Sequence, residues 1–434
     1  MENKLVKKVG GVYFVLVAGL MYYFITETIN VGLYITFRHA FALLLAASAI
    51  VSFLLKPNVA RGVTLVKSSF VYSAPMAVTL GISLFIWFAG RVDVSVISRG
   101  LSGSVVYTNM LSFTLAATAF LYIFGEKGIW YNLIAILISN ILMICIVILE
   151  NGLIEFFSEF VTLIITFAGE TGEIIVQAEI HELAFCLGAY LIYMLLKPRK
   201  NIVFWVLLGL AGFCFLAAFK RIGIVAVGIA LVLGWLLQFV AKFKKETATR
   251  LAVILSLVVV AVLIGYVAAI RMGVFELLEE AGVETSGRAK IYKAVEKFYE
   301  FSPDFLGNGI GFLTYQLSTN MKMGVSSVHN DFLQHYIDLG FWGYILWLTA
   351  MITFRVCYFG SKGKTDNAII AFALSVYLVI VSSTDNTMNY PLMTTVLAII
   401  MIGHGCDEEV RCTEQKMFGS VSQTNRETEE RAML

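Results

Sequence analysis

The chain has 434 residues, of which 59% are hydrophobic and 14% charged, against about 45–50% and 25% in soluble domains. That balance excludes a soluble globular protein, and a net charge of +2 argues against a nucleic-acid partner. Cys145, Cys186, Cys214 and Cys357 lie in apolar runs and Cys406 and Cys412 near the C-terminus, with neither a disulfide framework nor a zinc spacing.

Apolar runs of spanning length recur along the sequence. They predict an all-α polytopic integral membrane protein with about 12 transmembrane helices, near residues 12–26, 35–55, 69–89, 103–124, 130–149, 182–196, 202–219, 222–241, 251–270, 336–356, 368–384 and 390–405. The first run follows Lys4, Lys7 and Lys8 without a small-residue cleavage site, so it is expected to stay as a span. With the N-terminus cytoplasmic, Lys56, Arg61, Lys67, Lys127, Lys197, Arg199, Lys200, Lys242, Lys244, Lys245, Arg250, Lys362 and Lys364 all fall in inner turns. The excess of positive charge there puts both termini inside. The polar segment after Gly405 is expected to be a disordered cytoplasmic tail.

Two outer segments carry more than a connection. Residues 150–180 include FVTLIITFAG (Phe160 to Gly169), too short to span and read as an interfacial or re-entrant element. Residues 271–335, between spans nine and ten, are far longer than a connector needs. That loop opens with SGRAKIYKAVEKFYEFSPDF, a helix that Ser286 can cap and Pro303 ends. Ile291, Ala294, Val295 and Phe298 make its apolar stripe, and Arg288 projects along the packed side. Arg288 then either snorkels from an apolar face or serves an anion. Next, GNGIGF (Gly307 to Phe312) lacks the last glycine of a dinucleotide fingerprint and reads as a tight turn allowing close backbone approach.

Then comes SVHNDFLQHYIDLGFWG (Ser327 to Gly343). His329 and Asn330 precede an apolar helix at the outer boundary, where helix amides favour anions and a neutral imidazole is a better base. His329 is either structural or reactive on this reading, and Asp331, His335 and Asp338 either orient it or are solvated. Lys220 and Arg221 sit between two apolar runs with almost no polar loop. Arginine at membrane depth is costly unless it faces a cavity or an anion, and its planar fork suits phosphate oxygens. Arg38, His39, Arg91, Asp93, Arg99 and Asp385 are further charges at outer ends, each an ordinary interfacial charge alone. Together they suit a polyanionic, lipid-linked ligand. HELAF (His181 to Phe185) lacks the second histidine of a zinc-protease helix, and DNTMN (Asp385 to Asn389) is too short and too poor in acid for a calcium loop.

The order KRIG, SGRAKIY, GNGIGF and HNDFLQHYIDLGFWG resembles the O-antigen ligase and polymerase superfamily, in detail over Phe215 to Leu348. The resemblance implies a metal-independent membrane glycosyltransferase without a cofactor, acting on an undecaprenyl-diphosphate-linked glycan at the outer face of the bacterial cytoplasmic membrane. It gives catalytic roles to Arg221, Arg288 and His329. Lys220, Asn330, Arg91 and Arg99 are the candidate diphosphate or substrate contacts. Residues 271–335 become a catalytic loop within a membrane domain of residues 1–405, with residues 406–434 as the tail. The expected activity is polymerisation of repeat units into a surface polysaccharide, with a glycan hydroxyl as acceptor and a flippase and a chain-length regulator as candidate partners. The alternatives are a ligase delivering the glycan to another acceptor and, from another class, a lipid-linked glycan transporter. Carriers of that size usually place polar groups at the midplane on broken helices, whereas here they gather at the outer face.

Overall fold

The computed structural model describes residues 33–89, 111–166, 172–178, 181–282, 285, 287–317, 328–361 and 364–415, together with 11, 15 and 19. All regular structure among them is helical. The first expected span therefore lies almost wholly outside the described residues, as do Arg91, Asp93, Arg99 and Ser286. In chain order the helices are α1 (Leu33–Leu55), α2 (Val59–Ala89), α3 (Leu111–Phe124), α4 (Lys127–Asn151), α5 (Leu153–Thr166), α6 (Glu173–Ala178), α7 (His181–Leu196), α8 (Ile202–Ala217), α9 (Arg221–Phe243), α10 (Lys245–Arg271), α11 (Val274–Glu280), α12 (Arg288–Val295), α13 (Phe312–Tyr315), α14 (Asp331–Thr349), α15 (Thr365–Ser382) and α16 (Pro391–Gly403). A π turn, Ala350–Phe354, carries α14 on into Arg355–Phe359.

Among the described residues, six helices are long and apolar enough to cross a membrane: α2, α4, α9, α10, α14 with its extension, and α15. Five shorter apolar helices, in α1, α3, α7, α8 and α16, occupy other expected spans. The molecule falls into two compact units. The first comprises residues 1–72, 113–146 and 395–434, and the second residues 73–112 and 147–394.

In the first unit the expected disordered tail needs correction. Residues 406–415 are helical because α2's first turns give the polar segment partners. Arg61 pairs with Asp407 at 2.9 Å. The Asn58 amide donates to Glu414 at 3.0 Å, and the Thr64 and Thr413 hydroxyls meet at 3.2 Å. Residues 416–434 lie outside the described residues.

The second unit is built around α15, apolar on every side and largely enclosed by α7, α9 and α10. The tight connection at Lys244 folds α9 and α10 back on one another. At one end α10 joins α15 through Thr249 and Thr365, whose hydroxyls lie 3.0 Å apart. At the other end the Tyr266 hydroxyl donates to the Ser383 carbonyl at 3.1 Å. Arg221, at the far end of α9 from Lys244, thus shares the Tyr266 and Ser383 end of the unit. The expected short outer element is α5, which buries Phe156, Phe160 and Leu163 and leaves Leu153, Ile154, Val161 and Ile165 exposed. Glu159 closes the next helix, accepting from the Ile175 amide at 2.8 Å.

Candidate active site

Three chain segments meet at the Tyr266 end of the second unit. The first is α12. Gly287 occupies its N-cap position at φ 75°, a left-handed conformation that glycine adopts without strain, and the helix ends before Pro303. The second is Val328–Asp331, which leads into α14. The third is the turn after α15, residues 383–390.

Arg288 opens α12 and donates from Nη2 to the Thr384 carbonyl at 2.8 Å. Its Nε is buried without a hydrogen-bond partner among the described residues. The guanidinium thus turns inward to the 383–390 turn, which disfavours a snorkelling role. His329 has φ 51°. Only Phe219 and His329 among the described non-glycine residues have positive φ. Each sits beside candidate site residues, at a strain of about 1–3 kcal/mol per residue. The half-exposed His329 ring directs Nδ1 towards Asp385 Oδ1 at 3.9 Å, ion-pair range rather than a hydrogen bond. Asp385 also accepts from the Asn386 amide at 2.7 Å and the Tyr390 hydroxyl at 3.2 Å. Burial, and then Asp385's charge, hold the Tyr390 phenol above its ordinary pKa. It therefore keeps its proton and donates a hydrogen bond to Asp385 through the neutral range.

Asn330 departs from its expected substrate-contact role. It is fully buried, and its side chain is used up inside the protein. Its Oδ1 accepts from the Phe332 and Leu333 amides, both at 3.1 Å, the N-cap pattern for α14. Its Nδ2 donates to Tyr266 at 3.0 Å and Tyr292 at 3.1 Å. Burial raises the Tyr292 phenol, with the Asn330 hydrogen bond and the Arg288 charge opposing it. Asp331, also buried, accepts from the Met388 amide at 2.9 Å and ties the histidine segment to the third segment.

His335 and Asp338 are buried and held by α14 and the loop. His335 stacks on Trp347 at 3.9 Å between ring centroids and its Nδ1 lies 2.7 Å from the Asp331 carbonyl. Asp338 accepts from the Gly311 and Leu313 amides, both at 3.3 Å, and so caps α13. GNGIGF lies against α14 itself. Gly340 breaks that helix with φ 72° and ψ −180°, freeing groups that the loop takes up. The Gly309 amide donates to the Asp338 carbonyl at 2.7 Å, and the Phe341 amide donates to Phe305 at 2.9 Å. The Asn308 amide reaches the Ile337 carbonyl at 3.2 Å. A Cβ on Gly307 would fall on the Leu339–Gly340 backbone.

Lys220 is the N-cap of α9 and Arg221 its exposed first residue. Two cations thus stand on the positive end of a helix dipole, where acidic groups are normally favoured. An anion would relieve that arrangement. Asp385, Tyr266, Tyr292 and Tyr390 were not marked as a group by the sequence. The one signal was the polar run STDNTMNY between two apolar helices.

No curated protein gives a significant match to this chain. The family model described as O-Antigen ligase matches residues 203–348, roughly a third of the chain, and that stretch holds Lys220, Arg221, Tyr266, Arg288, Tyr292, His329 and Asn330. Residues 203–348, which take in most of the loop and its flanking helices, are thus similar to the O-antigen ligase family.

Proposed function

We propose that this protein polymerises undecaprenyl-diphosphate-linked oligosaccharide repeat units into a surface polysaccharide. The observation that carries the reading is the convergence of Arg288, His329 and Asp385 on one turn, at the end of the unit where Lys220 and Arg221 cap α9. In the reaction an acceptor sugar hydroxyl attacks the anomeric carbon of the lipid-linked glycan. The new glycosidic carbon–oxygen bond forms as the bond to the diphosphate oxygen breaks, and undecaprenyl diphosphate leaves. Its charge grows through the transition state, so cations placed beforehand stabilise it most at that point. Arg221 and Arg288 take that role, with Lys220 as a further diphosphate contact. The cations do the work a divalent metal would otherwise do. His329 accepts the hydroxyl proton, and Asp385 stabilises the imidazolium that results.

Arg91 and Arg99, in the second outer loop, remain candidate donor contacts. Residues 271–335 form the catalytic loop, facing outside the cytoplasmic membrane, with both termini inside. A flippase would supply the donor, and a chain-length regulator would set product size.

The test uses protein in nanodiscs, given the lipid-linked repeat unit as sole substrate in the presence of EDTA. The expected result is a ladder of glycan lengths that is lost in His329→Ala and Arg288→Ala while both variants stay folded. Single transfer to an added non-glycan acceptor, without a ladder, would replace polymerase by ligase. Full activity in both variants would remove the assigned site.

A further inference from the structure

We infer that Tyr266 is a positioning residue for this reaction: one hydroxyl group holds the histidine segment and the 383–390 turn in register with the arginine of α12. The inference rests on the reading just proposed.

Tyr266 lies near the end of α10, in a spanning helix. Its hydroxyl accepts from Asn330 Nδ2 at 3.0 Å and donates to the Ser383 carbonyl at 3.1 Å. Asn330 follows His329 directly. Ser383 is followed by Thr384, whose carbonyl receives Arg288, and by Asp385, which faces His329. The other proton of Asn330 Nδ2 goes to Tyr292, one turn beyond Arg288 on α12, so α12 is tied to the same amide. The aromatic faces close the node. Phe275 meets Tyr292 edge-on at 4.8 Å and Tyr266 at 6.4 Å between centroids.

The three segments come from distant parts of the chain, and α10 is the continuous helix that reaches the histidine segment and the turn with one atom. The hydroxyl of Tyr266 bonds to Asn330 and Ser383 rather than to the groups assigned to the chemistry. Its effect must come through their spacing, to which transfer reactions are steeply sensitive.

Tyr266→Phe removes the hydroxyl and keeps the ring. The full-length variant in nanodiscs is expected to lose roughly 10- to 100-fold in kcat, with KM for the lipid-linked donor within about twofold of the parent. Hydrogen exchange followed by mass spectrometry is expected to rise in residues 328–331 and 383–388 and stay unchanged through the rest of α10 and α15. Adding Tyr292→Phe is expected to cost less in the double variant than it does alone, because both hydroxyls act through Asn330. Parental kcat in Tyr266→Phe overturns the inference, and so does faster exchange throughout α10 and α15, which would mark a general loss of packing. Failure of the reaction reading shows separately, as unchanged transfer in His329→Ala, whatever Tyr266→Phe does.

Discussion

His329 and Asp385 face one another with a carboxylate already held by a backbone amide and a phenol. In the proposed mechanism that carboxylate is the partner for a ring that gains a positive charge during proton transfer. Asp385→Asn keeps an oxygen at the same place and removes the charge. It should lower kcat by roughly 10- to 100-fold, in the range that assisted proton transfer contributes, and leave donor KM unchanged in the same ladder assay. A loss of donor binding instead would assign Asp385 to the ligand rather than to the histidine. Arg288 and His329 are legible in the sequence because each breaks a local expectation, an arginine on a packed stripe and a histidine at the mouth of a span. Asp385 is not, since one carboxylate after a span is indistinguishable from an ordinary interfacial charge until the turn bends it back onto His329. Tyr266 is less visible still. A tyrosine near a helix end at the membrane boundary is what the aromatic belt supplies anyway, and only its two hydrogen bonds set it apart. Asn330 was legible as important for the wrong reason: N-capping and tyrosine contacts consume the amide that would have met a ligand.

At the scale of elements, the glycine-rich part of the loop is joined to α14 by backbone hydrogen bonds. The glycine-rich turn takes up the carbonyls that the Gly340 break releases, so each defect answers the other. The sequence shows GNGIGF as a place of close approach. It does not show against what, because the partner is another glycine more than thirty residues on. Gly340→Ala should therefore be costly twice over. The positive φ alone costs about 1–3 kcal/mol, and the added carbon would fall on the Leu306–Gly307 backbone. A thermal unfolding series in detergent should place Gly340→Ala well below the parent. Ala281→Gly, on an exposed end of α11, should lie close to it. Equal midpoints would mean that the two backbones are not in contact. Helix ends are also where the sequence reading erred most. Residues 406–415 looked too polar to fold, but Arg61 and Asn58 on α2 supply the charges and amides that such a segment needs.

For the whole molecule, most expected spans reappear as apolar helices, because a periodic or continuous apolar run leaves the backbone few alternatives in a membrane. Sidedness is a separate matter, resting on where lysine and arginine gather. A membrane-impermeant thiol reagent tests it in intact cells, with native cysteines replaced and single ones restored. Cys412, which is exposed, should react only after the membrane is opened, and a cysteine at Lys290 should react without opening. The reverse pattern would turn the protein over and place the candidate site on the wrong side for an outer-face donor. The break at Gly340 bears on how such a site lives in a fluctuating bilayer. Before it, the Asp331–Leu339 segment is fastened to the loop and to the 387–389 turn. Beyond it, the Phe341 amide is held by the same loop, and Trp347 and Tyr344 pack against His335, Phe332 and Tyr336. The kink is thus clamped from both sides, and a tilt of the span would carry the histidine with it, as a bolted fitting follows the deck.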